Sequence, residues 1–145
     1  MERCVRDFGF KGTMLCGRVG ARNLDHPFLG PILESAAALG VPVFLHSRIP
    51  DQAVRDTYYS GFAPQVGAMF ATAGLGWHYD AGIQFVRLVL AGPFDRLPGL
   101  QVILGHWGEV VLFFAERLAA IDRATGLRHP IATMSSRRRS IGSRR

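Results

Sequence analysis

Residues 100–109, Leu-Gln-Val-Ile-Leu-Gly-His-Trp-Gly-Glu, join an apolar run to a glycine-flanked histidine and then to a helical pattern. Val102, Ile103 and Leu104 read as a short buried strand that stops at Gly105. His106 follows at once, then Gly108, then apolar residues at helical spacing from Glu109 to Asp122. This is the strand, functional turn and helix of an α/β protein, with an ionisable side chain where the strand ends. The arrangement occurs once more upstream, where Val41-Pro42-Val43-Phe44-Leu45 is closed by His46. Two parallel strands that each deliver a histidine from the carboxyl end predict one shared site. A packing or hydrogen-bonding role for either ring is the competing reading of the residues alone.

Working outward, a first strand is predicted over residues 12–16, ended by Gly17. Residues 28–39 place Ile32, Leu33, Ala36 and Leu39 on one helical face, and Gly40 is a fitting terminator because it adopts a left-handed conformation at low steric cost. The second strand then covers residues 41–45, with Pro42 tolerated near its start. From Ser47 to Tyr79 there is no steady period, apart from a candidate helix over 65–73. A connection of that length usually has a function, such as covering a site. Tyr58, Tyr59, Phe62, Phe70 and Trp77 are its candidate cover, with core packing the alternative for each. Asp80 is expected to cap the next helix, with Ile83, Val86, Val89 and Leu90 inward and Gly92-Pro93 as its stop. Pro98-Gly99 turns the chain into the third strand, and the last helix is expected to bury Val111, Phe114, Leu118 and Ile121. Strands alternating with helices predict a parallel sheet with right-handed crossovers.

Composition limits the classes. The 145 residues are 48% hydrophobic and 19% charged, which suits one domain with a real core and argues against disorder of the body. No apolar run approaches the roughly 18 residues that would span a bilayer. The start, Met1-Glu2-Arg3-Cys4, has no apolar stretch of a secretory signal. Cys4 and Cys16 lack metal-site spacing and read as reduced thiols of a cytoplasmic protein. The net charge of +6 owes five of its units to Arg137, Arg138, Arg139, Arg144 and Arg145. The chain therefore divides into a folded body at 1–132 and an Arg/Ser-rich tail at 133–145, read as a solvated, disordered end. No aromatic side chain accompanies the basic residues for base stacking, so nucleic acid is not the expected partner.

Val-Phe-Leu-His-Ser at 43–47 and Gly-Pro-Phe-Asp-Arg-Leu-Pro-Gly-Leu-Gln-Val-Ile-Leu-Gly-His-Trp-Gly-Glu at 92–109 together resemble the amidohydrolase-related family. The likeness is to its metal-dependent decarboxylase branch, which includes the γ-resorcylate and aminocarboxymuconate-semialdehyde decarboxylases, and it runs from about Phe8 to about Pro130. The resemblance implies a (β/α)₈ TIM barrel with its site at the carboxyl ends of the strands. About three strand–helix units are present here, so the expected fold is a partial barrel from the middle of the family pattern. The family's first-strand metal motif would lie upstream of Met1 and its last-strand aspartate downstream of Arg145. The change to Ser/Arg-rich sequence after Pro130 further suggests a truncated or frameshifted reading frame.

The resemblance assigns a metal-ligand role to His46, with zinc or manganese as the cofactor, and makes His106 a catalytic site histidine. Neutral imidazole suits either metal, and a strand end fixes its direction. Glu109, three residues beyond His106, either orients a site histidine or favours the positive end of the following helix. His26 reads as a surface residue, while His78, between Trp77 and Tyr79, has a weaker claim to the pocket. Arg48 could pair with a substrate carboxylate, or be a plain surface arginine. The implied activity is decarboxylation (a carboxy-lyase) or hydrolysis of a small carboxylated substrate, with this chain inactive by itself and forming homo-oligomers or aggregates through its open sheet. Two other classes use the same residues: a non-catalytic fragment or interaction module, and a nucleotide-binding α/β domain with Leu104–Glu109 as a phosphate turn. The latter lacks a third glycine and places bulky side chains where phosphate must approach.

Overall fold

A computed structural model describes residues 1–125. The expected tail at 133–145 and the end of the predicted body at 126–132 lie outside those residues. The described chain runs α1 (Glu2–Arg6), β1 (Thr13–Cys16), a 3₁₀ turn (Pro27–Leu29), α2 (Gly30–Leu39), β2 (Val43–His46), α3 (Gln52–Tyr58), α4 (Pro64–Met69), α5 (Gly76–Leu90), α6 (Pro93–Arg96), β3 (Val102–Leu104) and α7 (Val111–Thr125). The strands form one parallel sheet in the order β1-β2-β3. Thr13 pairs with Val43 and Cys16 with His46, while Val43 pairs with Val102 and Leu45 with Leu104. These are three consecutive parallel strand–helix units, the arrangement expected of a partial (β/α)₈ barrel.

The pleat decides what each strand buries. Val43 and Leu45 are buried on the helix-covered face, where Leu15, Val102 and Leu104 pack with Leu33, Ala36, Leu88 and Val89. Full burial of a leucine contributes about 1.5–3 kcal/mol, so Leu24, Leu29, Leu45 and Leu88 dominate this core. The other face carries Met14, Phe44 and Ile103, and Met14 is 57% and Ile103 47% exposed. Helices thus cover one face, and the face that lines a closed barrel is open among the described residues.

Helix α2 ends as expected, on Gly40 at φ 64°, whose N–H returns to the Ala36 and Ala37 carbonyls. Four expectations are corrected. Strand β2 starts two residues later and includes His46. Asp80 does not cap a helix: α5 begins at Gly76 and holds Asp80 inside its second turn. The buried side of α5 is Ala81, Gln84, Phe85, Leu88 and Val89, whereas Ile83 and Leu90 are exposed. Gln84 explains the rotation, because its Oε1 accepts from the Leu24 N–H at 3.0 Å and its Nε2 donates to Asn23 Oδ1 at 2.9 Å. In α7, Val111 and Ala119 are buried, but Phe114 is exposed and Leu118 and Ile121 half-buried.

The long connection after β2 is mostly helical. Helix α3 was not legible in the sequence, and α4 covers the first part of the expected 65–73 element. Tyr59 and Phe62 pack edge-on against Phe70, with centroids 4.8 and 6.0 Å apart, while Tyr58 is exposed. Asp25 and Arg87 tie the loop before α2 to α5 through two bonds of 2.7 and 2.8 Å. The Arg87 guanidinium holds the Asp25 carboxyl below its ordinary range. Cys4 and Cys16 are free thiols. Among the described residues no helix is long and apolar enough to cross a membrane.

Candidate metal and acid–base site

His46 is the last residue of β2 and lies beside the carboxyl end of β3. Its Nδ1 is 2.8 Å from the Ser47 carbonyl oxygen. A carbonyl only accepts, so this contact assigns the proton to Nδ1 and leaves the Nε2 lone pair bare. Strand β3 then ends in a turn of unusual conformation. His106, Trp107, Gly108 and Glu109 have φ of 45°, 64°, 84° and 51°. Gly105, just before them, sits where a Cβ would lie 3.3 Å from the Leu45 carbonyl oxygen and from the Phe44 ring. Three consecutive-but-one L residues in the left-handed region cost about 1–3 kcal/mol each, a strain typical of functional turns.

The turn folds Glu109 back beneath His106. The Glu109 side chain is 0% exposed. One carboxylate oxygen lies 2.8 Å from His106 Nδ1, and the other lies 2.7 Å from His78 Nδ1. A carboxylate oxygen accepts, so each of these contacts is met by the Nδ1–H of its ring. The His106 ring stands edge-on to His46 at 5.4 Å and to His78 at 5.1 Å between centroids. The structure therefore brings together the three site residues expected from sequence, His46, His106 and Glu109, and adds His78. Proximity of His78 to Trp77 and Tyr79 was the only local signal for it. His26 is an exposed residue whose Nδ1 accepts from the Phe28 N–H.

Beside the histidines lies a charged cluster from the same ends of the strands. Arg18 is paired with Asp51 at 3.1 Å and with Asp80 at 3.5 Å, and the Arg48 guanidinium donates to the Arg18 carbonyl at 2.5 Å. Asp80 Oδ2 is buried without a hydrogen-bond partner. Burial pushes the Asp80 carboxyl above its ordinary value, against the opposing pull of Arg18. Arg48 is thus tethered to the backbone at one nitrogen, and its side chain is otherwise exposed.

The donor chemistry fits a hard or borderline divalent cation. His78, His106 and Glu109 offer ligand atoms within 4.8 Å of one another, and His46 adds a bare ring nitrogen nearby. Nitrogen and carboxylate donors of this kind suit zinc or manganese. A phosphate has no place in the turn, because the buried Glu109 carboxylate already occupies it.

The sequence profile of the amidohydrolase family matches residues 1–137. The chain belongs to that family. Among its curated relatives, the decarboxylase orsB of Emericella nidulans is 29% identical over 126 residues, covering 87% of this chain and 38% of that protein. Among solved structures, a putative amidohydrolase from Staphylococcus aureus superposes with a TM-score of 0.78 at 43% identity, over 81% of this chain and 39% of that one. A dihydroxybenzoic acid decarboxylase from Polaromonas sp., solved with bound manganese and the inhibitor 2-nitroresorcinol, gives 0.69 at 30% identity, over 80% and 35%. The amidohydrolase chain described here thus spans a little over a third of the length of these relatives.

Proposed function

We propose that the chain carries part of the site of a metal-dependent decarboxylase acting on a small carboxylated aromatic compound. The observation that supports this most is the His106–Glu109 pair, held on a strained turn beside His46 at the carboxyl ends of adjacent strands. His46 is the residue of this chain that would hold zinc or manganese through Nε2, and the barrel strands other than these three would supply the remaining ligands. The metal, when bound, would orient the substrate's oxygen atoms and neutralise their charge. Decarboxylation breaks one carbon–carbon bond, releases carbon dioxide and leaves an electron pair on the ring carbon, which must take up a proton. In its doubly protonated form, with Nδ1–H still donating to Glu109, His106 would deliver the Nε2 proton to that carbon and return to the neutral Nδ1–H form. Glu109 holds the other ring nitrogen, so the imidazole presents Nε2 in a fixed direction. With three of the eight barrel strands among its described residues, the chain by itself would be inactive.

The test is a chimaera in which residues 8–130 replace the matching segment of the Polaromonas enzyme. It should release carbon dioxide from dihydroxybenzoate in the presence of manganese, while the chain alone should not. His106→Ala in the chimaera should lower the rate by about 10²–10⁴-fold. A folded chimaera that retains full activity without His106 would remove that residue from the chemistry.

A further inference from the structure

His78 reaches the site from a segment with no part in the strand-end pattern. It lies in the first turn of α5, just after the distorted turn at Phe70–Gly74, where Thr72 departs from helical geometry. Its Nδ1 is 2.7 Å from Glu109 Oε2; the Nε2 contact with the Ala73 carbonyl oxygen is longer, 3.3 Å, and is a hydrogen bond only when both ring nitrogens carry protons. His106 meets the other oxygen, Oε1, of the same carboxylate. We infer that His78 is a positioning residue: by holding Oε2 it fixes the plane of the Glu109 carboxylate, and through it the tautomer and direction of His106. The inference rests on the reading of His106 as the proton-delivering residue.

The physical argument concerns rotation. A glutamate carboxylate turns about its last side-chain bond in a broad, roughly two-fold well. Bound to a single partner, it can rotate while keeping that bond, and the partner ring then follows. Held at both oxygens, it has one orientation. Burial adds to this, since water does not reach the Glu109 side chain to compete for either oxygen. The demand is high here because Glu109 stands on a left-handed turn with a glycine before it, where the backbone alone holds the side chain poorly. Both bonds are histidine Nδ1–H donations to a carboxylate, so each locks its own ring with Nε2 unprotonated in the neutral form. A chelate through the same atoms is the rival use of this trio, and it would displace both Nδ1 protons.

Long-range proton–nitrogen correlation spectra of the ¹⁵N-labelled chain at about pH 8.5, where an ordinary imidazole is neutral, read the tautomer of each ring directly. In the unaltered chain His78 and His106 should both appear as Nδ1–H forms with widely separated ring nitrogens. If His78 is instead Nε2–H or an averaged mixture there, the inference is overturned whatever the variants do. His78→Leu should make the two His106 nitrogens converge as its tautomers mix, whereas His78→Gln, which keeps an N–H donor, should restore the separation. An unchanged His106 in folded His78→Leu, or equal loss in both variants, overturns the proposal. Should the leucine variant not fold, convergence in the glutamine variant overturns it, and retained separation together with the Nδ1–H form of His78 supports it. Loss of the His78 Nδ1 proton on adding one equivalent of zinc to His46→Ala would show the chelate instead. The tautomer is read without turnover, so a chimaera that releases no carbon dioxide fails the proposed function and leaves this result standing.

Discussion

Replacing Trp107 by glycine should stabilise the chain, which is the reverse of the usual result for deleting a tryptophan. The ring is 98% exposed, so its removal gives up almost no packing. Its backbone sits at φ 64°, between His106 at 45° and Gly108 at 84°. An L residue in that region costs about 1–2 kcal/mol, and glycine adopts it freely. Glycine also gains freedom in the unfolded chain, which offsets about 0.4–1 kcal/mol of the relief. The difference is a net stabilisation of about 0.5–1 kcal/mol. At an m-value of about 2 kcal/mol/M, the urea midpoint should rise by about 0.3–0.5 M. Circular dichroism follows the transition, and the fluorescence of Trp77, the other of the two tryptophans, reports the core independently. Gly108→Ala is the control of opposite sign. It keeps φ at 84° and places a Cβ 3.0 Å from the Leu112 side chain, so its midpoint should fall. A lowered midpoint for Trp107→Gly would refute the reasoning, because it would mean that the ring packs or that the turn is not strained.

Two further outcomes follow from the charged cluster and the open sheet. The native state holds the Asp80 proton more tightly than the ordinary value of 3.8, so stability falls as pH rises from 3.8 through the raised native pKa. Asp80→Asn removes that penalty, and its stability relative to the unaltered chain, measured by urea unfolding at about pH 4 and about pH 7, should improve at the higher pH; a constant difference would contradict the raised carboxyl. The uncovered face with Met14, Phe44 and Ile103 should drive self-association. Ile103→Lys should shift the chain toward monomer in light scattering, and an unchanged distribution would place the contact elsewhere.

Much of the fold was written locally. The apolar runs ending at His46 and His106, the terminator at Gly40 and the stop at Gly92-Pro93 each act through neighbours in sequence, and each appears in the structure. Helix α3 escaped because neither it nor α4 buries a residue, so no amphipathic period marks them. The inward side of α5 was misplaced by its apolar residues, because a buried polar side chain, Gln84, sets the rotation through partners about 60 residues away. The site divides in the same way. Sequence alone determined that His46 and His106 stand at the carboxyl ends of β2 and β3, since each follows its strand's apolar run, directly or after one glycine. Only tertiary structure decided that His78 reaches the Glu109 carboxylate across 31 residues and shares it with His106, that Asp80 answers Arg18 from inside a helix, and that one sheet face is open. Those contacts depend on how the elements pack against one another, and packing leaves no period in the chain.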